Sequence, residues 1–477
     1  MTSQTMKTPN EAIVSAGEEE RAARPLSTSR KARRFAYVGT GGRIKMFLDP
    51  VPESYLEDAE IVGLCDLSLV RATFQAERLR QKFGYARVPV YAAEDFLRML
   101  KETEADVVVV CTTDRTHDEY IVEALLAGCD VVSEKPMTID ATRCQRILDA
   151  VEKTGRSVRV AFNYRWAPGP TKVRELLAAG TIGTVRHVNM EYLLNTSHGA
   201  DYFRRWHSDK ASSGGLLVHK STHHFDLINW WIDAIPERVF AQGGLFFYGR
   251  ENALKRGDEA LTRYARYHGT ATDGDPFAYD YSTSLLQDQE YEKALYLGSA
   301  EKETGYVRDQ NVFREGINIE DVMNVMVRYR TGTLLNYSLN AFSPYEGYRV
   351  TFTGDRGRIE YKEWHGAHIL GADTTGSEHT EAGQNELEVF PHFHENYKVK
   401  IPHQEGGHGG GDPLLQEQVF SLSAPRDQWG RAAGHEQGAA SIMVGVAANA
   451  SMASNRPVMI ADMVTLNPEA RHLSELI

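Results

Sequence analysis

The sequence predicts two domains of mixed α/β structure: a doubly wound domain with a parallel sheet, then a larger domain with an open, mainly antiparallel sheet. In residues 34–155, short apolar runs alternate with helical stretches, which is typical of parallel βαβ units. In residues 156–477 the strand-like runs are longer and polar and apolar residues alternate in them, as in strands with one buried face. The length of 477 residues also exceeds what one hydrophobic core usually supports.

Apolar runs predict the strands of the first domain. The most regular run, residues 107–111, is short, continuous and rich in valine, as expected for a strand buried on both faces. Helices are predicted at residues 95–101 and 117–127, and Gly128 ends the second of them. The predicted strands occupy residues 35–38, 61–65, 88–91, 107–111 and 130–133.

The rest of the chain divides into an arm, the second domain and an insertion within it. Residues 1–33 are polar with mixed charge runs and predict a flexible N-terminal arm. Residues 250–318 are rich in charge, tyrosine and glycine without a clear period, which predicts an insertion. Helices at residues 171–179 and 223–232, and strands at residues 185–193, 322–329 and 332–339, are predicted around it, the last two strands as a hairpin.

Composition restricts the expected partners and location. The formal net charge of −12 argues against nucleic acid and anionic membrane surfaces as partners. No apolar run is long enough to span a membrane. The four cysteines include no Cys-x-x-Cys pair, so we expect neither disulfides nor a zinc site, and a cytoplasmic location.

A glycine-rich turn follows the first predicted strand. Gly39-Thr40-Gly41-Gly42 allows backbone amides to approach a pyrophosphate at the start of the next helix, although Ile44 replaces the third glycine of the usual pattern. Asp66 ends the second predicted strand, where a carboxylate accepts hydrogen bonds from an adenosine ribose and repels a 2′-phosphate. The order of strand, turn and acid predicts an NAD site; the alternative is that Asp66 only caps the following helix.

Further motifs extend this pattern into a family resemblance. The chain resembles the Gfo/Idh/MocA oxidoreductases, the group of glucose–fructose oxidoreductase and inositol dehydrogenase, most closely over residues 34–240. The resemblance implies a Rossmann domain, NAD(P), a sugar or polyol substrate and a homo-oligomer. The motifs that carry it are the glycine turn, Thr112-Thr113 with His117, the run 127–136 ending in Glu134-Lys135-Pro136, the run 163–168, and Gly180-Thr181-Ile182-Gly183.

The resemblance also implies roles for single residues. Lys135 would lie beside the nicotinamide and the reacting carbinol, on a turn shaped by Glu134 and Pro136. Asn163 and Arg165 would face the junction of cofactor and substrate. Thr112 and His117 would belong to the cofactor site.

A histidine-rich segment supplies the remaining candidates for proton transfer. The family usually places an aspartate four residues before His223; here that position is His219, with Lys220 beside it. On one helix, His219, His223 and Asp226 would share a face. We therefore predict that Lys135 and His223 form the acid–base pair, with His219 as a second titratable group. A metal site with the same spacing and buried structural histidines are the alternatives; we expect no metal.

Two other segments contain possible substrate contacts. Arg204, Arg205, Trp206 and His207 offer donors suited to a sulfonate or other anion, and an ordinary charged surface loop is the alternative. Residues 406–412, which include His408, could present backbone amides to a ligand or form a flexible linker.

The histidine-rich and glycine-rich segments are also similar to a longer-chain branch of the family, the NAD-dependent glycosidases, in particular the NAD-dependent sulfoquinovosidases. That resemblance implies oxidation at sugar carbon 3, elimination of the aglycone, addition of water and reduction of the ketone. An ordinary NAD-dependent sugar or polyol dehydrogenase is the main alternative, and a non-catalytic NAD-binding sensor is a third hypothesis, which the presence of Lys135 and His223 disfavours.

Overall fold

The structure is a computed structural model and describes residues 32–272, 274–279, 281, 289–367 and 385–476. Residues 1–31, most of the predicted N-terminal arm, lie outside the described residues. The strands are β1 (Arg33–Val38), β2 (Ala59–Asp66), β3 (Val90–Ala92), β4 (Val107–Val110), β5 (Asp130–Ser133), β6 (Val158–Val160), β7 (Val185–Asn195), β8 (Pro236–Gly244), β9 (Val322–Tyr329), β10 (Leu334–Ser343), β11 (Tyr345–Gly354), β12 (Gly357–Ala367), β13 (Glu386–Pro391), β14 (Tyr397–Lys398), β15 (Ala433–Gly434) and β16 (Val458–Met459).

Helices connect these strands, and short 3-10 turns precede several of them. The α-helices are α1 (Lys45–Leu48), α2 (Pro50–Ser54), α3 (Leu69–Phe83), α4 (Phe96–Thr103), α5 (His117–Leu126), α6 (Ala141–Thr154), α7 (Pro168–Ala178), α8 (Thr196–Arg204), α9 (Lys210–Ser213), α10 (Leu216–His219), α11 (Thr222–Trp231), α12 (Arg250–Arg256), α13 (Gln289–Tyr296), α14 (Ser299–Thr304), α15 (Gly407–Phe420) and α16 (His435–Ser454).

The first sheet has the order β15-β6-β5-β4-β1-β2-β3, and all its neighbours are parallel except the edge strand β15. Every residue of β4 is buried, because helices cover both faces of the sheet. This confirms the predicted Rossmann arrangement. The sheet also includes β6, which lies beyond residue 155, and the antiparallel edge strand from residues 433–434.

Gly39 directly follows β1 and has a left-handed backbone, φ +85°. A Cβ atom at this position would lie 2.5 Å from the carbonyl carbon of Cys111, at the end of the neighbouring strand. Glycine is therefore required for the turn that leads from the sheet to the first helix.

The second sheet has the order β14-β13-β12-β11-β7-β10-β9-β8-β16 and is antiparallel except for the pair β7–β10. Alternate residues of β9 and β10 are buried, as the period of two predicts. The pair forms the predicted hairpin at Gly332, although β10 begins at Leu334 because residues 331–333 make the turn.

Helices α10, α11 and α16 place the second sheet beside the first domain. Helix α16 packs on β8, α11 and α10 and also contacts α6 and β6 of the Rossmann domain. This packing fixes the histidine-rich segment, which forms α10 and α11, close to the carboxyl ends of the parallel strands.

The predicted insertion lies between β8 and β9. Its helices α13 and α14 both contact α3 of the Rossmann domain. Over the part of the chain that the structure describes, we find no helix with the length and apolar character needed to cross a membrane.

Candidate active site

A cleft of about 1560 Å³ opens at the carboxyl ends of the parallel strands and reaches the second sheet. This is the position where open parallel sheets usually bind their ligands. Its walls include the glycine turn, the Glu134-Lys135 turn, the histidine-rich segment and part of the insertion. The cleft therefore brings together groups from distant parts of the sequence.

Asp66 holds the glycine turn in place. Its carboxylate accepts hydrogen bonds from the amide of Thr40, from the Thr40 hydroxyl at 2.9 Å and from the amide of Ser68 at 2.7 Å. Asp66 thus supports the turn and contacts the start of α3, while its contact with an adenosine ribose stays a prediction. Thr40 is buried, whereas Gly39, Gly41, Gly42 and Asp66 line the cleft. This donor set, at the end of β1 and β2, fits a dinucleotide.

Thr112 and His117 both line the cleft. The His117 ring contacts the carbonyl oxygens of Pro136 at 2.8 Å and Thr112 at 3.2 Å, and burial lowers its pKa. Because its ring lies between these two carbonyl oxygens, His117 connects two loops of the site.

Lys135 is the central basic group of the cleft. Its ammonium donates to the carbonyl oxygen of His219 at 3.3 Å. Glu134, which is bound to Arg43 at 2.5 Å, accepts the Lys135 amide at 2.9 Å and so fixes the turn. Burial lowers the pKa of Lys135 to about 8, against the opposing effects of Glu134 and Asp114. A lysine with this pKa exchanges protons readily near neutral pH.

His219 is paired with Asp114, a residue that the sequence reasoning missed. His219 Nδ1 lies 2.5 Å from Asp114 Oδ2. Burial lowers the pKa of His219 and raises that of Asp114, so both side chains are disfavoured in their charged states. A carboxyl group at Nδ1 orients an imidazole and leaves Nε2 for another contact. The only signal for Asp114 was its place just after β4, at the carboxyl edge of the sheet.

His223, on α11, lines the same cleft as His219 and Lys220. Its ring stacks on Tyr164 with a centroid distance of 4.3 Å, and its Nδ1 has no hydrogen-bond partner among the described residues. Burial lowers the pKa of His223, which keeps the ring neutral. Lys220 donates to the Tyr164 hydroxyl at 3.3 Å. His223 is therefore able to accept a proton from a ligand in the cleft.

The glycine-rich segment 406–412 adds a further histidine to the cleft. It forms the left-handed start of α15, which rules out the linker alternative. His408 Nδ1 contacts Asp412 at 2.9 Å, and Asn163 donates to the same carboxylate at 2.7 Å. Asn163 is buried behind the cleft, so it orients Asp412 and is not itself at the cofactor–substrate junction as predicted.

The prediction that Arg165 faces this junction is wrong. Arg165 is fully buried and forms two hydrogen bonds with Asp226, at 2.8 and 2.6 Å. The shared helix face is also wrong: His219 ends α10, while His223 and Asp226 belong to α11, and Asp226 is turned towards Arg165. In the described parts of the chain, no group of three or more His, Cys, Asp or Glu side chains is arranged to hold a metal ion.

We expect Arg165→Met to lower the free energy of unfolding by about 3–5 kcal/mol, because it leaves the Asp226 carboxylate buried without its partner. Denaturant titration of the purified variant measures this. The double variant Arg165→Met/Asp226→Leu should recover part of the loss, since no unpaired charge remains. A single variant as stable as the native protein would contradict the structural role.

The predicted anion contacts line the cleft, but their charges are largely compensated. Arg205 pairs with Asp201 at 2.6 Å, and Arg204 lies 3.5 Å from the same carboxylate. Burial opposes the ionisation of Asp201, yet Arg205, Arg308 and Arg204 together lower its pKa to about 2. Trp206 stacks on His207 at 3.7 Å. These residues form a wall of alternating charge and aromatic surface.

A second charged network, also missed from the sequence, lines the far end of the cleft. Glu346 contacts His198 at 2.8 Å and His365 at 3.5 Å, and His365 contacts Glu363 at 3.0 Å. Burial alone would lower the pKa of His365, but the two glutamates raise it to about 10. This part of the cleft thus contains an imidazole held between two carboxylates that favour its cationic form, a polar surface suited to sugar hydroxyls.

The fold and this cleft define a dinucleotide-dependent oxidoreductase. Two family models match the chain: the NAD-binding Rossmann fold of an oxidoreductase family at residues 33–162, and the C-terminal alpha/beta domain of the same family at residues 174–460. The chain belongs to this Gfo/Idh/MocA family of oxidoreductases, and its cofactor is NAD.

Relatives of similar sequence extend the comparison. YteT of Bacillus subtilis (strain 168), which is named as an oxidoreductase, is 35% identical over 90% of this chain and 98% of its own length. D-glucoside 3-dehydrogenase of Escherichia coli (strain K12) is 33% identical over 40% of this chain and 52% of its own length. Glycosyl hydrolase family 109 protein 1 of Akkermansia muciniphila is 28% identical over 39% of this chain and 40% of its own length.

Proposed function

We propose that the protein is a redox-neutral, NAD-dependent glycosidase that oxidises a glycoside at sugar carbon 3 and releases the aglycone. The observation that carries the proposal is the number of proton-transfer groups in one cleft. Lys135, the His219–Asp114 pair and His223 all reach it, with the His408–Asp412 pair beside them. Oxidation of a carbinol needs one base, whereas elimination and hydration need additional acids and bases.

The residues divide the proton transfers among them. NAD held at the glycine turn would supply the hydride acceptor and donor for carbon 3. Lys135, in its neutral form, takes the proton of the carbon 3 hydroxyl. The resulting ketone acidifies the hydrogen on carbon 2, and His219, oriented by Asp114, takes that proton. The protonated His219 then gives its proton to the departing aglycone oxygen. The neutral His223 takes a proton from the water that adds to carbon 1 and returns a proton to carbon 2.

Two relatives support this assignment. One is named for oxidation of glucosides at carbon 3 and another for hydrolysis of glycosides, and the proposed reaction combines these two activities on one substrate. Arg204 and Arg205 line the cleft but are paired with Asp201, so neutral aryl glycosides are tested beside anionic ones such as sulfoquinovosides. An ordinary NAD-dependent sugar or polyol dehydrogenase is the second candidate, since Lys135 alone suffices for its chemistry.

A paired assay separates the two candidates. The protein with substoichiometric NAD+ is mixed with free sugars and with aryl glycosides, including a sulfoquinovoside, and NADH absorbance and aglycone release are followed together. The proposal predicts many turnovers of aglycone release without accumulation of NADH. Accumulation of NADH with a free sugar, and no aglycone release from any glycoside, would contradict it and identify a dehydrogenase.

A further inference from the structure

The insertion helices α13 and α14 form an outer wall of the dinucleotide site. The hydroxyl of Tyr296, the last residue of α13, accepts a hydrogen bond from the amide of Gly42 at 2.8 Å. Tyr291 on the same helix accepts a hydrogen bond from Gln75 of α3 at 2.8 Å. These contacts place the insertion directly against the phosphate-binding turn and the helix that follows Asp66.

A second carboxylate from the insertion lies beside Asp66. Glu303, on α14, accepts hydrogen bonds from the Ser68 hydroxyl and from the amides of Leu69 at 3.1 Å and Val70 at 3.2 Å. The amide of Ser68 is bound to Asp66. Ser68 therefore connects two carboxylates, one from each domain, at the start of α3.

The Ser68 hydroxyl and the amides of Leu69 and Val70 are the kind of hydrogen-bond donors that a 2′-phosphate would need. The adenosine ribose lies at the end of the second strand of a Rossmann domain, and NADP sites use donors and an arginine just beyond it. Arg71 is in that position, but it donates to the carbonyl oxygen of Leu295 at 2.8 Å and lies over the rings of Tyr296 and Tyr306. The insertion thus engages both the amides and the arginine.

We propose that Glu303 is a specificity-determining residue that excludes NADP, by filling the 2′-phosphate position with a carboxylate from the insertion. Asp66 alone is partly compensated, because three donors bind it and Arg71 lies 4.0 Å away. The charge of Glu303, which is exposed and immediately precedes Thr304 of the cleft wall, restores the repulsion. This inference concerns cofactor binding and holds whichever sugar reaction the enzyme performs.

The test is the affinity of the substrate-free protein for NADH and NADPH, measured by energy transfer from tryptophan to the reduced nicotinamide. In Glu303→Gln we expect NADPH to bind about tenfold more tightly than to the native protein, with NADH changed by less than about threefold. Glu303→Asp, which keeps the charge, should still reject NADPH. Glu290→Gln, on the exposed side of α13, is the matched control and should leave both affinities unchanged.

An unchanged affinity for NADPH in Glu303→Gln would overturn the proposal. Equal weakening of both cofactors would also overturn it, because Glu303 would then only hold the insertion in place. A thermal melt of each variant verifies that the fold is intact. Since no substrate is present, a failure here is independent of the glycosidase proposal.

Discussion

Lys135→Met is expected to lower kcat by about a thousandfold while the dissociation constant of NAD+ changes by less than about threefold. The methionine side chain keeps the length and apolar character of the lysine stem but cannot accept the proton of the carbinol. Steady-state kinetics and a cofactor titration measure the two quantities. Lys172→Met on α7, which lies outside the cleft and pairs with Glu175, is the matched control.

The pH dependence of the native enzyme tests the same assignment. The pKa of Lys135 is lowered to about 8 by burial, and the lysine acts as a base only in its neutral form. The rate of carbon 3 oxidation should therefore rise with pH and level off above about pH 8. If the rate of the native enzyme did not rise with pH below about pH 8, or if Lys135→Met kept full activity, Lys135 would have no part in the acid–base chemistry.

Asp114→Asn is expected to lower kcat by about a hundredfold to a thousandfold, because an amide next to His219 Nδ1 no longer selects one orientation and tautomer of the ring. Asp114 acts through His219, so it is a positioning residue. Kinetics in a double-mutant cycle with His219→Gln measure the coupling.

In the His219→Gln background, Asp114→Asn should have little further effect if the two residues act as one unit. Equal losses in both backgrounds would show that Asp114 acts independently of His219. The pH profile provides a second readout, since a purely structural loss would lower the rate equally at every pH.

Local sequence patterns predicted most of the fold. The valine run of β4 and the alternation in β9 and β10 depend on the period of buried residues, which each strand displays by itself. The positions of Gly39 and Asp66 in the fold were predictable for a similar reason, because each lies at the carboxyl end of a strand. The Glu134-Lys135 turn was recognisable as a contiguous motif.

The parts of the site that required distant pairings could not be predicted. Asp114 gains its role from His219, which is far from it in sequence, and Arg165 is removed from the cleft by Asp226. The network around Glu346 joins residues of α8, β11 and β12. Such contacts leave no periodic pattern in the sequence, because they depend on how the two sheets and their helices pack.

The most direct test of the proposed reaction is the fate of carbon 2 and carbon 3 when a glycoside substrate is cleaved in D2O. Elimination followed by addition of water predicts one deuterium at carbon 2 of the released sugar and none at carbon 3, because the hydride returns from NADH. The free sugar incubated with the enzyme, and the glycoside incubated with Lys135→Met, are the controls. Cleavage that leaves carbon 2 without deuterium would contradict the account, as it would show direct hydrolysis without oxidation.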